Sequence, residues 1–122
     1  MSVAVLLPMH LPSVANLREH WRVRAKRSKS QRGAARLALL PYARQLRTIR
    51  DGGGAIRVEL TRVSPRRLDS DNLQGALKAV RDGVADALEL DDGSARYCWG
   101  YAQLKGSPSV GITISVEPTA QE

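Results

Sequence analysis

The chain of 122 residues is long enough for one domain with a modest core, and its 43% hydrophobic content excludes disorder throughout. Its formal net charge of +7 favours a polyanionic partner such as nucleic acid. The single cysteine, Cys98, excludes an internal disulfide and favours a reducing, cytoplasmic setting.

The chain begins with a short apolar segment. Residues 3–7 are apolar, but they follow no basic n-region and run into Pro8 and Pro12. The segment is too short to span a membrane and lacks the flanks of a signal peptide. We therefore predict a β-strand here and no association with a membrane.

Positive charge dominates the next part of the chain. Residues 1–50 hold eleven lysines and arginines but one acid, whereas residues 51–122 hold eight lysines and arginines and eleven acids. We interpret residues 16–32 as a basic loop or mobile arm that leads into a helix. This footprint is typical of salt-sensitive binding to phosphates, with a solvated basic face as the alternative. The segment is not a clean amphipathic helix, which disfavours a membrane-surface patch.

The middle of the chain changes from a helical pattern to a strand pattern. In residues 33–50 apolar side chains recur at helical spacing, with Pro41 as a kink or break. Residues 51–54, Asp-Gly-Gly-Gly, end this helix. Residues 55–63 then alternate apolar and polar side chains, which predicts a half-buried strand.

Residues 71–88 form the clearest predicted helix, because one stripe of it is apolar and the opposite face is polar. The apolar stripe comprises Leu73, Ala76, Leu77, Val80, Val84, Ala87 and Leu88. At about 100° per residue, the polar face carries Asp71, Gly75, Lys78, Asp82 and Asp86.

The remaining residues predict a turn, two strands and a tail. The turn falls at residues 91–93, the strands at residues 95–104 and 110–116, and the tail, which we expect to fray, at residues 117–122. The order β-α-β-α-β-β predicts an α/β (α+β) fold with a mixed β-sheet flanked by helices. We expect residues 1–122 to form a single domain.

Two acidic pairs bracket the clearest helix. Asp69 and Asp71 lie between the preceding strand and the helix, where a single aspartate is usually a helix cap. Two aspartates exceed what capping requires. Asp91 and Asp92 follow the helix, which is about 25 Å long, so they reach the first pair only if the chain doubles back after Leu88.

Convergence of these carboxylates would create a site for a hard cation. Oxygen-only ligands favour Mg²⁺ or Mn²⁺, because no cysteine–histidine cluster has zinc-site spacing. His10 and His20 are isolated, and we interpret them as surface or loop residues. Lys78 lies seven residues after Asp71 on the same face. It is a candidate for stabilising charge on a phosphate, or an ordinary helical partner of Asp82.

This arrangement resembles a known nuclease family. The acidic motif reads Arg-Arg-Leu-Asp-Ser-Asp-Asn-Leu-Gln at residues 66–74, followed by Lys78, Asp82, Asp91 and Asp92. Near the start, the matching residues are Leu11, Pro12, Ser13, Asn16 and Arg18. Together they resemble the RusA-type crossover-junction (Holliday junction) endodeoxyribonucleases of phages and prophages. The resemblance covers roughly residues 6–105, and Asp-x-Asp-Asn with a later Asp-Asp is moderately specific.

The resemblance implies roles for individual acids. Asp69, Asp71 and Asp92 would be catalytic and would bind Mg²⁺, with Mn²⁺ as a possible substitute. Asp91 would be the nearest replacement for the third ligand.

The resemblance also implies a catalytic lysine, for which Lys78 is the candidate. The family pattern Asp-Asn-x-x-Lys places its lysine at Gly75 of this chain, one helical turn earlier. Lys78 and Asp82 keep the family interval Lys-x-x-x-Asp.

The implied activity is Mg²⁺-dependent, structure-selective resolution of four-way (Holliday) DNA junctions by paired symmetric nicks. It would serve DNA recombination or repair in the cytoplasm of a bacterial or phage-infected cell. A homodimer is implied, and its two-fold symmetry would match two symmetric cuts. The expected phosphate-binding residues are Arg18, Arg22, Arg24, Lys26, Arg27, Lys29, Arg32, Arg66 and Arg67.

Three alternatives stay open. The first is a non-catalytic basic DNA-binding module whose aspartates only cap a helix. The second is a Mg²⁺-dependent phosphohydrolase of nucleotides or small phosphates, which the lack of a Gly-rich phosphate loop after a strand disfavours. The third is a nuclease with broader substrates, namely flaps, forks or linear duplex.

Overall fold

The β-sheet has four strands and mixed topology, and the computed structural model describes residues 1–12 and 20–116. The strands are β1 (Ser2–Leu7), β2 (Ile56–Ser64), β3 (Tyr97–Lys105) and β4 (Ser109–Val116). They lie in the order β1-β4-β2-β3. Strand β4 is antiparallel to β1 and β2, whereas β3 is parallel to β2. The predicted mixed sheet in a small α+β domain is confirmed.

Some predictions concern residues outside the described ranges. They are the phosphate contact at Arg18, the resemblance at Ser13 and Asn16, the first part of the basic arm, and the fraying of residues 117–122.

In residues 1–12 and 20–116, three α-helices and one 3₁₀ turn connect the strands. The helices are α1 (Trp21–Leu39), α2 (Ala43–Asp51) and α3 (Ser70–Leu88). The break predicted at Pro41 is confirmed, because this proline lies in the 3₁₀ turn Leu40–Tyr42 between α1 and α2. Within the described ranges, no helix combines the length and apolar character needed to cross a membrane.

The interpretation of the basic arm as a loop is wrong from Trp21 onward, because α1 begins there. Lysine and arginine are good helix formers, and neither glycine nor proline interrupts residues 21–32. His20 also caps the helix, since its Nδ1 accepts a hydrogen bond from the backbone N–H of Arg22 at 3.1 Å. A high density of basic residues is therefore compatible with a helix and does not by itself indicate a loop.

Alternation along the strands places the core on one face of the sheet. On β2, Ile56 and Val58 are fully buried, whereas Arg57 between them is exposed. The register pairs Val58 with Ile114 of β4, which is buried on the same face. The apolar stripe of α3 packs into the same core through Leu73, Ala76, Leu77, Val80, Val84 and Leu88.

Helix α3 is the connection between the parallel strands β2 and β3. Its first turn therefore follows the carboxyl end of β2, and its last turn precedes the amino end of β3. Glu89 ends the helix in the left-handed conformation, with φ of 55°. The backbone N–H of Leu90 then donates to the carbonyl of Ala85 at 3.2 Å. This cap reverses the direction of the chain after Leu88. Such a reversal is the condition under which Asp91 and Asp92 could approach α3 again.

Helices α1 and α3 approach each other closely at Gly83. A Cβ at this position would lie 2.4 Å from the carbonyl oxygen of Arg32 and 2.8 Å from the Cβ of Ala35. Arg32 also forms a bidentate ion pair with Asp86, at 2.6 and 2.8 Å. The crossing thus brings the basic residues of α1 beside the polar face of α3.

A buried arginine fixes the loop that leads into α3. Arg62 is only 4% exposed, and its Nε donates to the carbonyl of Leu11 at 3.0 Å. Its Nη1 donates to the carbonyl of Arg66 at 2.7 Å. Burial lowers the pKa of Arg62. These bonds join the segment after β1 to the loop that carries the two exposed arginines Arg66 and Arg67.

Candidate functional site

The first acidic pair lies in the first turn of α3. Asp69 is the N-cap, and its Oδ1 accepts a hydrogen bond from the backbone N–H of Asn72 at 2.9 Å. Asp71 is exposed and forms no hydrogen bond or ion pair with any other described residue. Capping thus accounts for Asp69. Asp71 has the favourable position of an acid in the first turn of the helix, but its carboxylate has no hydrogen-bond or ion-pair partner among the described residues.

The second acidic pair returns to the middle of α3. The Oδ2 of Asp92 lies 3.3 Å from Nζ of Lys78 and 3.7 Å from Nε of Arg81. Asp91 instead accepts a hydrogen bond from the backbone N–H of Gly93 at 3.0 Å, which stabilises the turn. Of this pair, Asp92 is therefore the acid in contact with the candidate lysine.

Lys78 is shared between two carboxylates. Its Nζ lies 2.6 Å from Oδ1 of Asp82, one helical turn later, and also contacts Asp92. The hydrogen bond to Asp82 raises the pKa of Lys78, and Asp92 contributes in the same direction. The side chain is 59% exposed, so its ammonium group is charged and accessible from solvent. Both sequence interpretations of Lys78 therefore fit its geometry.

Sequence reasoning missed the group that holds Asp92 in place. The guanidinium of Arg81 lies 4.4 Å from the ring centroid of Trp99 and donates to the hydroxyl of Tyr101 at 2.8 Å. It also donates to the backbone carbonyl of Asp92, as does the indole N–H of Trp99, each at 3.3 Å. The signal was the alternation Tyr97, Trp99, Tyr101, which puts three aromatic rings on the face of β3 toward α3.

The three predicted metal ligands do not form one cluster. Asp71 and Lys78 are seven residues apart, about 10 Å along the helix axis, and Asp92 lies at the level of Lys78 and Arg81. Within residues 1–12 and 20–116, no group of three or more histidine, cysteine, aspartate or glutamate side chains is placed to hold a metal ion. Mg²⁺ commonly uses one or two carboxylates with water and substrate phosphates, and Asp69 with Asp71 fits that class.

A basic groove of about 700 Å³ opens between α1 and α3. Its cationic lining comes from Arg24, Arg27, Lys29 and Arg32 of α1 and from Lys78 of α3. The rest of the lining comes from one acid, Asp82, and from uncharged residues, namely Pro12, Ala25, Ser28, Gln31, Gly75, Ala76 and Ala79. The groove thus brings four of the predicted phosphate-binding residues to the candidate lysine.

The predicted phosphate-binding residues of the described ranges lie in different settings. Arg22 and Lys26 are exposed on α1 but do not line the groove. Arg32 is paired with Asp86, and hydrogen bonding to this acid raises the pKa of Arg32. Arg67 lines a cleft of about 330 Å³ together with Asp69, and Arg66 lines a neighbouring cleft. Arg67 therefore lies beside Asp69.

An acidic cleft of about 470 Å³ adjoins the basic groove. Its acids are Asp82, Asp86, Glu89, Asp91 and Asp92. Arg32 and Asp82 line both cavities, so the boundary between positive and negative surface runs along this side of α3. A polyanion in the groove would meet repulsion from the acidic cleft, which limits how far it extends toward the end of the helix.

No protein-family model and no curated protein matches this chain. The site must therefore be interpreted from its own chemistry. That chemistry combines the carboxylate of Asp71, which has no partner among the described residues, the charged Lys78 on the same helix, and a groove between α1 and α3 that cations line.

Proposed function

We propose that this protein is a Mg²⁺-dependent, structure-selective endodeoxyribonuclease that resolves four-way DNA junctions by paired symmetric nicks. The observation that carries the proposal is the position of Lys78. It shares one face of α3 with Asp71 and also lines the basic groove. A phosphate held there would lie beside both a cation and carboxylates, the groups that metal-dependent phosphodiester cleavage uses.

Asp69 and Asp71 are the residues that would hold Mg²⁺, with Mn²⁺ as a substitute. When bound, the metal would supply Lewis-acid chemistry at the phosphate and lower the pKa of a water ligand. Asp92 would join them only by giving up its contacts with Lys78 and Arg81, which lie at 3.3 and 3.7 Å. Lys78 would stabilise the negative charge that develops on the phosphate oxygens.

The basic residues would position the DNA without reading its sequence. Phosphate contacts from Arg24, Arg27 and Lys29 in the groove would hold one strand, and Arg66 and Arg67 would flank the first acidic pair. Selectivity for branched DNA would then depend on the shape of the junction. A two-fold symmetric homodimer would present two equivalent sites to the two strands that must be cut. The acidic motif supports this proposal through its resemblance to RusA-type resolvases.

The proposal is tested by cleavage of a labelled synthetic four-way junction beside a linear duplex of the same sequence. We expect paired symmetric nicks in the junction only, and only with Mg²⁺ or Mn²⁺. The variant Asp71→Asn should cut at least about 100-fold more slowly, because it removes a metal ligand that the fold does not use. Asp51→Asn is the matched control, since Asp51 is an exposed acid at the end of α2. Equal rates for Asp71→Asn and wild type, both folded by circular dichroism, would contradict the proposal.

A non-catalytic DNA-binding module is the second candidate. It is favoured by the capping role of Asp69 and by the lack of a three-carboxylate group within the described parts of the chain. It predicts tight, salt-dependent binding to the junction and no cleavage with either metal. In that case Asp71→Asn would leave the affinity for DNA unchanged in the presence of EDTA.

A further inference from the structure

We infer that Trp21 is a stacking platform for an unpaired or unstacked DNA base, at the N-terminal end of the basic helix α1. The choice of DNA as the ligand rests on the proposed function. The stacking role is additional to it and concerns a surface outside the acidic site.

Trp21 differs from the tyrosines and the other tryptophan of the described ranges, because it alone among them is mostly exposed. The residue is 66% exposed, although it is the first residue of a 19-residue helix. The other tryptophan, Trp99, is half-buried, donates its indole N–H to a backbone carbonyl and packs against Arg81. Trp99 therefore has a structural role in this fold, whereas Trp21 is not part of the hydrophobic core that the described residues form.

Two neighbouring side chains, His20 and Arg22, contact the ring of Trp21. The ring of His20 is stacked on it, with centroids 5.6 Å apart and planes inclined by 29°. His20 is itself fixed by the capping hydrogen bond that it accepts from Arg22. The guanidinium of Arg22 lies 5.4 Å from the centroid of the indole ring. An aromatic surface with an adjacent cation suits a nucleobase and the phosphate attached to it.

The charge of α1 selects a polyanion as the occupant. The helix contains seven lysines and arginines and no acid, and every residue from 21 to 26 is exposed. Like charges recur at i,i+3 and i,i+4, as in Arg22 with Lys26, which destabilises an isolated helix. Phosphates along this helix would relieve that repulsion, so a chain of bases and phosphates fits both the cations and the exposed ring.

The same helix argues against a membrane surface. An interfacial helix needs its apolar residues on one face. The other large apolar residues of α1 that are exposed are Val23 and Leu37, which lie roughly 160–200° around the helix from Trp21 at 100° per residue. Within the described ranges, Trp21 and His20 therefore form an aromatic pair beside the cations of α1, the arrangement that single-stranded nucleic acid binds.

The direct test measures affinity in EDTA, so that the DNA stays uncut. The probes are a fluorescent single-stranded oligonucleotide, the four-way junction and the perfectly paired duplex. Trp21→Ala should weaken binding of the single strand by about 5- to 150-fold, the range for loss of one base–aromatic stack. The duplex, whose bases are already stacked, should change by less than about twofold. Val23→Ala, which removes an exposed apolar side chain from the same turn, is the matched control and should match wild type on all probes.

An abasic single strand separates stacking from charge. Replacing its bases by abasic sites should abolish the difference between Trp21→Ala and wild type, because only phosphates then remain for binding. Trp21→Phe should recover part of the lost affinity on the normal strand. In the Trp99→Phe background, the single remaining indole should lose fluorescence when the single strand binds. Equal losses on single strand and duplex, or no loss on either, would overturn the inference.

These outcomes are independent of cleavage. If the junction is not cut but Trp21→Ala still discriminates single strand from duplex, the nuclease proposal fails and the stacking role holds. If the junction is cut and Trp21→Ala binds every probe like wild type, the stacking role fails and the nuclease proposal holds.

Discussion

At the scale of single residues, the position of Asp92 decides how the acidic site can work. Its carboxylate contacts Lys78 and Arg81, and its backbone carbonyl accepts bonds from Arg81 and Trp99. A carboxylate with two cationic partners gives up favourable interactions when it binds a metal ion. Asp71 gives up none among the described residues. We therefore expect added Mg²⁺ to change the environment of the Asp71 carboxylate more than that of the Asp92 carboxylate.

The ion pair between Arg32 and Asp86 makes a separate prediction about pH. Arg32 lowers the pKa of Asp86 below its ordinary value of 3.8. The ion pair therefore contributes its full stabilisation to the folded protein above pH 3.8. This contribution is lost as the pH falls through the lower pKa that Asp86 has in the folded state. Asp86→Asn should be less stable than wild type at pH 7, by on the order of 1 kcal/mol because Arg32 is half exposed to water.

Urea unfolding of both proteins at pH 7 and at low pH measures this difference. It should shrink as the pH falls below 3.8, where Asp86 of the wild type becomes protonated. A difference that stays constant over this range would show that Asp86 stabilises the fold through packing alone.

At the scale of elements, the crossing of α1 and α3 depends on Gly83. A methyl group there would lie 2.4 Å from a backbone oxygen of α1, which cannot move without moving the helix. Gly83→Ala should therefore destabilise the protein by about 1–3 kcal/mol, despite the better helix propensity of alanine. Gly33→Ala is the matched control, because a Cβ at Gly33 meets nothing within 4 Å. It should stabilise the protein by about 0.5–1 kcal/mol.

Thermal or urea unfolding of the two variants tests the crossing. Gly83→Ala should also weaken DNA binding, since the groove lies between the same two helices. If both substitutions stabilise the protein, the helices are not in contact at Gly83.

The elements differ in how well local sequence could predict them. Residues 55–63 and 71–88 were predicted within one residue of the observed β2 and α3, because burial of one face imposes a local period on each. The first half of α1 was missed, since only Ala35 and Leu39 of that helix are buried and no apolar period marks its start. The cap at His20 is also outside the usual set of capping residues.

The site was less predictable than the fold. It depends on how β3 pairs with β2 and on the reversal of the chain after α3. Capping by Asp69 follows from local rules, but the return of Asp92 requires the left-handed Glu89, a conformation uncommon for that residue type. The support from Arg81 depends on β3 lying parallel to β2, which sequence spacing does not specify. Long-range contacts of this kind are set by the whole sheet.

At the scale of the whole molecule, the separation of charge should control binding to DNA. The basic groove and the acidic cleft share a boundary at Arg32 and Asp82, so only one side of α3 attracts phosphate. Each phosphate that a protein cation neutralises releases counterions and steepens the salt dependence of binding. The slope of log K against log salt therefore reports how many cations of the groove contact DNA.

The double variant Arg24→Gln, Lys29→Gln should reduce the magnitude of this slope by about 2 if each side chain contacts one phosphate of a duplex arm. Arg44→Gln, Arg47→Gln is the matched control, because it removes the same charge from exposed positions on α2. Measuring junction affinity in EDTA over a range of salt separates the two. A diffuse effect of net charge would lower affinity equally in both variants, whereas a strand bound in the groove lowers the slope only in the first. Since the control keeps the same net charge as the groove variant, a difference between them places DNA between α1 and α3.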